Sequence, residues 1–464
     1  MSRKQRNRTF QNLVSGRRTG CPAPVGPMRL SRLSTLIPTD LNAVIILRRT
    51  AVFAAVGLAA VLVLCGGRFA AAQEGAGNTD QKTYREIRDV KEVSRGEIRE
   101  ITSAMRGGSI PDRALFERYF NYRIAEFTWP ENRHLLHAMR DRLKKQDLQQ
   151  AAGSAYEALN ALLLKRMTEI ASGEAYHPAV RLNAVLLLGK LDRNKPNFSG
   201  KGFVPLPDAL PVLMARVKPD SATAVDDALM VAALTGIRRQ AEAEQKAIDP
   251  KEQQQIVETM LAVLNSEKPD HRNLDVDGWV RRRAAEVLSA IGASGTDSNG
   301  TAVVDALLAM TANDKLPITS RCAAADAVGH LDLTRVAKKI DAKQWLRPLA
   351  MLAHEVTDEE TSVGPVIYYL ESVRTALLGR ATKDDRRGGL VSLAKEGDSH
   401  DALAALSEHI GNVVEKLVSY GINEPDLPED FPQMVRDLEK DISSLIGPEH
   451  IVASEEIKSR PDKR

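Results

Sequence analysis

Apolar residues between positions 83 and 446 recur every three or four places with polar residues between them, the spacing of helices that bury one face. No sustained Val/Ile/Thr alternation of the kind a strand requires interrupts that pattern. In "DVDGWVRRRAAEVLSAIGA" Val280, Ala284, Leu288 and Ile291 stand at offsets 0, 4, 8 and 11 and share one helical face. Arg282, Arg283 and Glu286 fall off that stripe, so they are expected on a solvated face that tolerates alanine and is free to meet a partner. Further upstream, Ser109 is the expected cap of a helix with Pro111 in its first turn. A break follows at Trp129-Pro130, where a second helix starts, and a longer helix is expected to close at Gly173.

The stripe repeats. Val180, Arg181, Ala184, Leu188, Gly189 and Leu191 have the offsets 0, 1, 4, 8, 9 and 11. Val280, Arg281, Ala284, Leu288, Ser289 and Ile291 repeat them, as do Ser320, Arg321, Ala324, Val328, Gly329 and Leu331. A degraded copy holds Asp226, Asp227, Met230, Leu234, Thr235 and Ile237. Successive copies begin 46, 54 and 40 residues apart, and the middle interval calls for an insertion, which residues 238–253 can supply. The Ala at offset 4 allows a neighbouring helix to approach closely, and the Gly at offset 9 lightens the helix end where the chain turns. One such helix pair cannot bury its own apolar face, so stacking is obligatory.

These residues resemble HEAT repeats, in particular the short variety with an Asp-x-Asp-x-x-Val-Arg-x-x-Ala-Ala helix start, which residues 275–285 match position by position. The resemblance is strong over residues 175–335 and weaker over 83–174 and 336–446. It implies an all-α fold, a right-handed α-solenoid of stacked antiparallel helix pairs of the HEAT/armadillo type, used as a binding scaffold with the repeated helix on its concave side. The expected core of the repeats is Val180, Ala184, Leu188, Val280, Ala284, Leu288, Ile291, Ala324, Val328 and Leu331. Residues 83–174 are expected to form capping helical pairs, 175–335 the HEAT-like repeats, 336–446 degenerate helical repeats, and 447–464 a polar tail.

Charge changes the picture at the N-terminus. Residues 1–72 carry 11 Lys/Arg and one acid, so the formal net charge of +3 hides 53 basic and 60 acidic residues beyond them, a net of −7. That balance disfavours nucleic acid as a partner, because non-specific binding rests on phosphate neutralisation. Arg48 and Arg49 precede an uncharged run at 50–67, and Ala70-Ala71-Ala72 follows before Gln73. The stretch reads as an export signal cleaved between Ala72 and Gln73, with 73–82 as a flexible linker. The competing reading is an uncleaved anchor, since 18 residues is near the short limit for a membrane span. Both place the protein outside the cytoplasm, in the periplasm or cell envelope, with membrane contact only if the run is retained. Of three cysteines only Cys322 lies beyond the leader; its alanine-rich setting reads as a small buried apolar residue.

Candidate chemistry is thin. Asn273, Asp275, Asp277 and Gly278 mimic the first half of a calcium loop, but its twelfth position is Ala284, where a bidentate acid is required. Asp277 is instead expected to cap the helix and Asp275 to pair with a neighbouring repeat. His134, His137 and Asp141 share a helix face without further ligands, and His354-Glu355 is a single His-Glu pair. HExxH, GxxxxGK[ST], GxSxG and CxxCH motifs are missing from the chain. The expectation is therefore an exported scaffold for a protein or peptide partner, with no catalysis, cofactor or metal. A helical-repeat enzyme or chromophore lyase and a membrane-anchored envelope component are the alternatives.

Overall fold

A computed structural model describes residues 83–447 apart from 111, 195–202, 244–247, 381–388, 395–396, 423 and 425. The expected leader with its cleavage site at Ala72 and Gln73, the expected linker at 73–82, Pro111 and the expected tail from 448 onward lie outside the described residues.

Sixteen α-helices account for most of the described residues. In the N-terminal part these are α1 (Arg95–Gly107), α2 (Arg113–Ala125), α3 (Leu136–Arg142) and α4 (Gly153–Ser172). The region of the repeats holds α5 (Pro178–Leu188), α6 (Leu210–Met214), α7 (Ala224–Glu242), α8 (Pro250–Asn265), α9 (Leu274–Ile291), α10 (Ala302–Ala312) and α11 (Ile318–Val328). Beyond it come α12 (Lys343–Glu359), α13 (Val363–Leu378), α14 (Leu390–Leu393), α15 (Asp398–Tyr420) and α16 (Phe431–Ile446).

The packing is sequential and two-layered. Helices α5, α7, α9, α11, α13 and α15 lie side by side in chain order, with α3 against α5. The second layer runs α8, α10, α12, α16, and each of its members packs on a helix of the first layer. This arrangement is compatible with a helical-repeat fold. It follows from the stripe: Val180, Ala184, Leu188, Val280, Ala284, Leu288, Ala324, Val328 and Leu331 are at most 1% exposed, and Ile291 is 9% exposed.

Helix ends follow local chemistry. Asn273 caps α9 by accepting from the Val276 amide, and Gly292 closes the helix in the left-handed region at φ 74°. Asp112, rather than the expected Ser109, caps α2 by accepting from the Leu115 amide. After Trp129 the chain enters a 3-10 turn at Pro130–Leu135 before α3, and α4 is capped at Gly173. A two-stranded antiparallel hairpin, β1 (Asp192–Asn194) with β2 (Val204–Pro205), was not anticipated: two such short segments leave no alternation to detect.

Gly at offset 9 has a stronger reason than a light helix end. A Cβ on Gly189 would stand 2.7 Å from the Gly236 Cα, and one on Gly329 would collide with the Thr375 carbonyl. Adjacent first-layer helices thus touch backbone to backbone there. Ser289 replaces the glycine in α9 and reaches across to His330 instead.

Candidate binding surface on the repeat helices

The arginine at offset 1 does a structural job in three copies. Arg181 donates to the Ala171 carbonyl, Arg281 to the Leu264 and Ser266 carbonyls, and Arg321 to the Thr311 carbonyl. Each therefore brings positive charge to the last turn of the preceding helix, where orphan carbonyls and the negative dipole end lie. Arg281 accordingly does not belong to the expected solvated face.

The degraded copy is explained by the same position. Asp227 stands where the arginine is expected, and the missing charge comes from the loop before α9: Arg272 donates to Asp227 Oδ1 at 2.6 Å and to Asp277 Oδ1 at 3.1 Å. Asp277 is also held by Arg281 at 2.7 Å, and Asp227 by Ser221 at 2.5 Å and His271 at 2.9 Å. Burial alone would raise the Asp227 carboxyl, but the bonds from Arg272 and Ser221 hold it below the ordinary range. Asp277 is thus a buried ion-pair centre rather than the helix cap, and Asp275 is exposed. Because α9 is helical from Leu274, the residues that mimic a calcium loop cannot wrap a cation.

Arg282, Arg283 and Glu286 come together, but not as a freely solvated face. Glu286 accepts from Arg283 at 2.6 Å, from Arg238 of α7 at 2.9 Å and from Arg282 at 3.1 Å. Its side chain is only 15% exposed. Burial would raise its carboxyl, yet Arg283, Arg238 and Arg282 together hold it below the ordinary value. Tyr368 and Tyr369 of α13, in ring contact with each other at 5.4 Å, lie near enough to act on the charge of Arg282, and burial pushes the Tyr369 hydroxyl up to about 12. Three arginines around Glu286, of which Arg238 is also held by Glu242 at 2.7 Å, make with two half-buried tyrosines an interface-like surface.

A second group of cations lies towards the N-terminal end of the same layer. Arg140 of α3 donates to Asn183 of α5 at 2.8 Å, and Arg239 of α7 pairs with Asp192 at 2.5 Å while stacking on Phe203 at 4.3 Å. Tyr156 and Asn160 of α4 both donate to the Asp192 carbonyl, which fixes that corner. Lys144, in the wide π turn Leu143–Leu148, and Lys190, just past α5, complete the group. Burial first, then the charge of Arg239, brings the Lys144 ammonium down to about 8; Lys190 is lowered by burial and by Arg140.

Other arrangements are weaker. Ser289 Oγ stands 2.6 Å from His330 Nδ1, but Asp326 approaches that same nitrogen at 3.9 Å and Arg380 approaches Nε2 at 3.4 Å. The hydroxyl and the carboxylate thus share one ring nitrogen and a cation approaches the other, the reverse of the arrangement a nucleophile–base relay needs. A cleft of about 230 Å³ between α13 and α15 is lined by Arg374, Ser407, Glu408 and Glu415, one cation against two carboxylates with no convergent set of donors. His134 and His137 are exposed, Asp141 pairs with Lys145, and His354 and Glu355 turn to Glu439 and Arg321. Among the described residues no group of three or more His, Cys, Asp or Glu is placed to hold a metal ion. Cys322 is fully buried, which pushes its thiol well up. No helix of the described residues is long and apolar enough to cross a membrane; the run at 50–67 is not among them.

Sequence reading singled out Arg282, Arg283 and Glu286 but missed Arg238, Arg140, Lys144, Lys190 and Arg239. The one available signal was that the position ten residues into each copy varies, holding Lys190, Gly236, Ala290 and His330, which marks it as outside the shared core. No protein-family model matches this chain, and no curated protein sequence matches it either.

Proposed function

We propose that the chain is a right-handed α-solenoid of the HEAT type that serves as an exported scaffold, binds a protein or peptide partner along its repeat-helix layer, and performs no catalysis of its own. The observation that carries this reading is the Arg238, Arg282, Arg283 and Glu286 cluster beside Tyr368 and Tyr369: arginine and tyrosine, half-buried and held rigid, are the residue types that concentrate binding energy at interfaces. The surplus of arginine there favours an acidic segment, although residues beyond 72 are net acidic. Nucleic acid is disfavoured by that same balance.

Export rests on the leader, with cleavage between Ala72 and Gln73; the uncharged run at 50–67 supports retention as an envelope anchor as the second reading. Intact mass of protein from its native host separates them, since a chain beginning at Gln73 has lost the run. Binding is tested by fluorescence anisotropy with labelled acidic, neutral and basic peptides. Acidic peptides are expected to bind, with affinity falling as salt rises. Equal affinity for all three peptides, or none for any, would overturn the reading.

A further inference from the structure

Arg140, Lys144, Lys190 and Arg239 meet at the junction of α3, α5 and α7 without enough counter-charge. Lys145 adds a fifth cation, and the carboxylates among them are Asp141 and Asp192. Both acids are occupied: Asp141 bonds Lys145 at 2.8 Å, and Asp192 bonds Arg239 at 2.5 Å. Among the described residues neither Lys144 nor Lys190 forms an ion pair. Arg140 is 3% exposed, and its Nε is buried with no hydrogen-bond partner; Arg239 Nη1 is likewise buried and unbonded. Seven other arginine nitrogens among the described residues are also buried without a partner, and these two are the ones that lie within the cation junction. Crowded like charges raise the free energy of the fold unless something negative joins them.

We propose that this junction is an oxyanion-binding site, taking one carboxylate or phosphate group between Arg140, Lys144, Lys190 and Arg239. It deepens the scaffold reading by naming the group held, and three of its four donors, Arg140, Lys144 and Lys190, are remote in sequence from the Glu286 cluster, while Arg239 follows that cluster's Arg238. An oxyanion has the acceptor lone pairs that the unbonded Arg140 Nε and Arg239 Nη1 lack, and two ammonium groups supply charge around it. Arg239 is already oriented by Asp192 and Phe203, and Arg140 by Asn183, so two of the four donors are set in place before a ligand arrives.

The test uses the full chain with two probes, inorganic phosphate and a hexaglutamate peptide, each titrated against chloride at matched ionic strength while the thermal midpoint is followed. Both are expected to raise the midpoint saturably, and the tighter probe names the source of the anion. In the Lys144→Met/Lys190→Met variant the affinity is expected to fall at least about tenfold. General salting effects act alike on wild type and variant, so an equal response of the two would overturn the site. A second measurement does not depend on the variant: saturating probe should slow acetylation of Lys144 and Lys190 in wild type, read by peptide mass, and unchanged labelling would overturn the site. If acidic peptides bind with unchanged affinity in the variant, the scaffold reading stands and this site falls.

Discussion

Lys144 should be a residue whose removal strengthens the fold. Its ammonium is brought from 10.5 down to about 8, by burial first and then by Arg239 and Lys190, with Asp192 and Asp141 opposing. A folded pKa below the unfolded one means that the charged form is disfavoured in the native state. The penalty is complete below about pH 8 and is relieved as pH rises towards 10.5. At about 1.4 kcal/mol for each pKa unit, the difference corresponds to roughly 3 kcal/mol at pH 7, a ceiling because salt screens the neighbouring charges. Lys144→Met keeps the apolar stem and deletes the charge. The variant is therefore expected to be about 1–3 kcal/mol more stable than wild type in urea unfolding at pH 7. The advantage should shrink by about half at pH 9.5, where the wild-type folded state sheds its proton. A variant less stable at pH 7, or an advantage that grows with pH, would refute the assignment of Lys144 to a crowded, desolvated site.

Ala284→Asp places a carboxylate at a position with no exposure between packed helices, and a loss on the order of several kcal/mol should abolish cooperative unfolding; circular dichroism melting checks it, and a wild-type midpoint would show the register to be wrong. Arg272→Met strands Asp227 beside a helix that cannot solvate it, so urea titration should show a loss of about 3–5 kcal/mol, and a loss below about 1 kcal/mol would mean that the buried pairs are interchangeable with apolar contact. Glu286→Ala deprives Arg282 and Arg283 of the carboxylate they share and leaves Arg238 with Glu242 alone. It should cost about 1–3 kcal/mol by the same titration, against the alanine tolerance that helical phase alone suggests.

The repeated stripe was legible because it is local: Val280, Ala284, Leu288 and Ile291 fall on one face by helical geometry alone. The role of the offset-1 arginine was not, since Arg181, Arg281 and Arg321 reach carbonyls of a different helix, 10 to 17 residues back. Nor was the partner of Asp227, which lies 45 residues on in the next copy's loop. Cap assignment failed at α9 because Asn273, Asp275 and Asp277 are all acceptable caps by composition, and only the position of the first helical turn chooses Asn273. The cation junction was invisible for a plainer reason. Arg140 and Arg239 are 99 positions apart, and nothing in either neighbourhood signals the other.

The lock between Asp227 and Arg272 also bears on how such a chain can be altered by duplication or deletion. A helix pair whose buried charges are all answered within itself can be cut out or copied as a unit. The second and third copies cannot be parted in that way, because a break anywhere between Asp227 and Arg272 leaves a desolvated acid on one side and a desolvated base on the other. These two copies form one inheritable block, and the Asp192–Arg239 pair ties it in the same way to the copy before, so a recombination breakpoint, natural or engineered, is not tolerated within the block or at that junction.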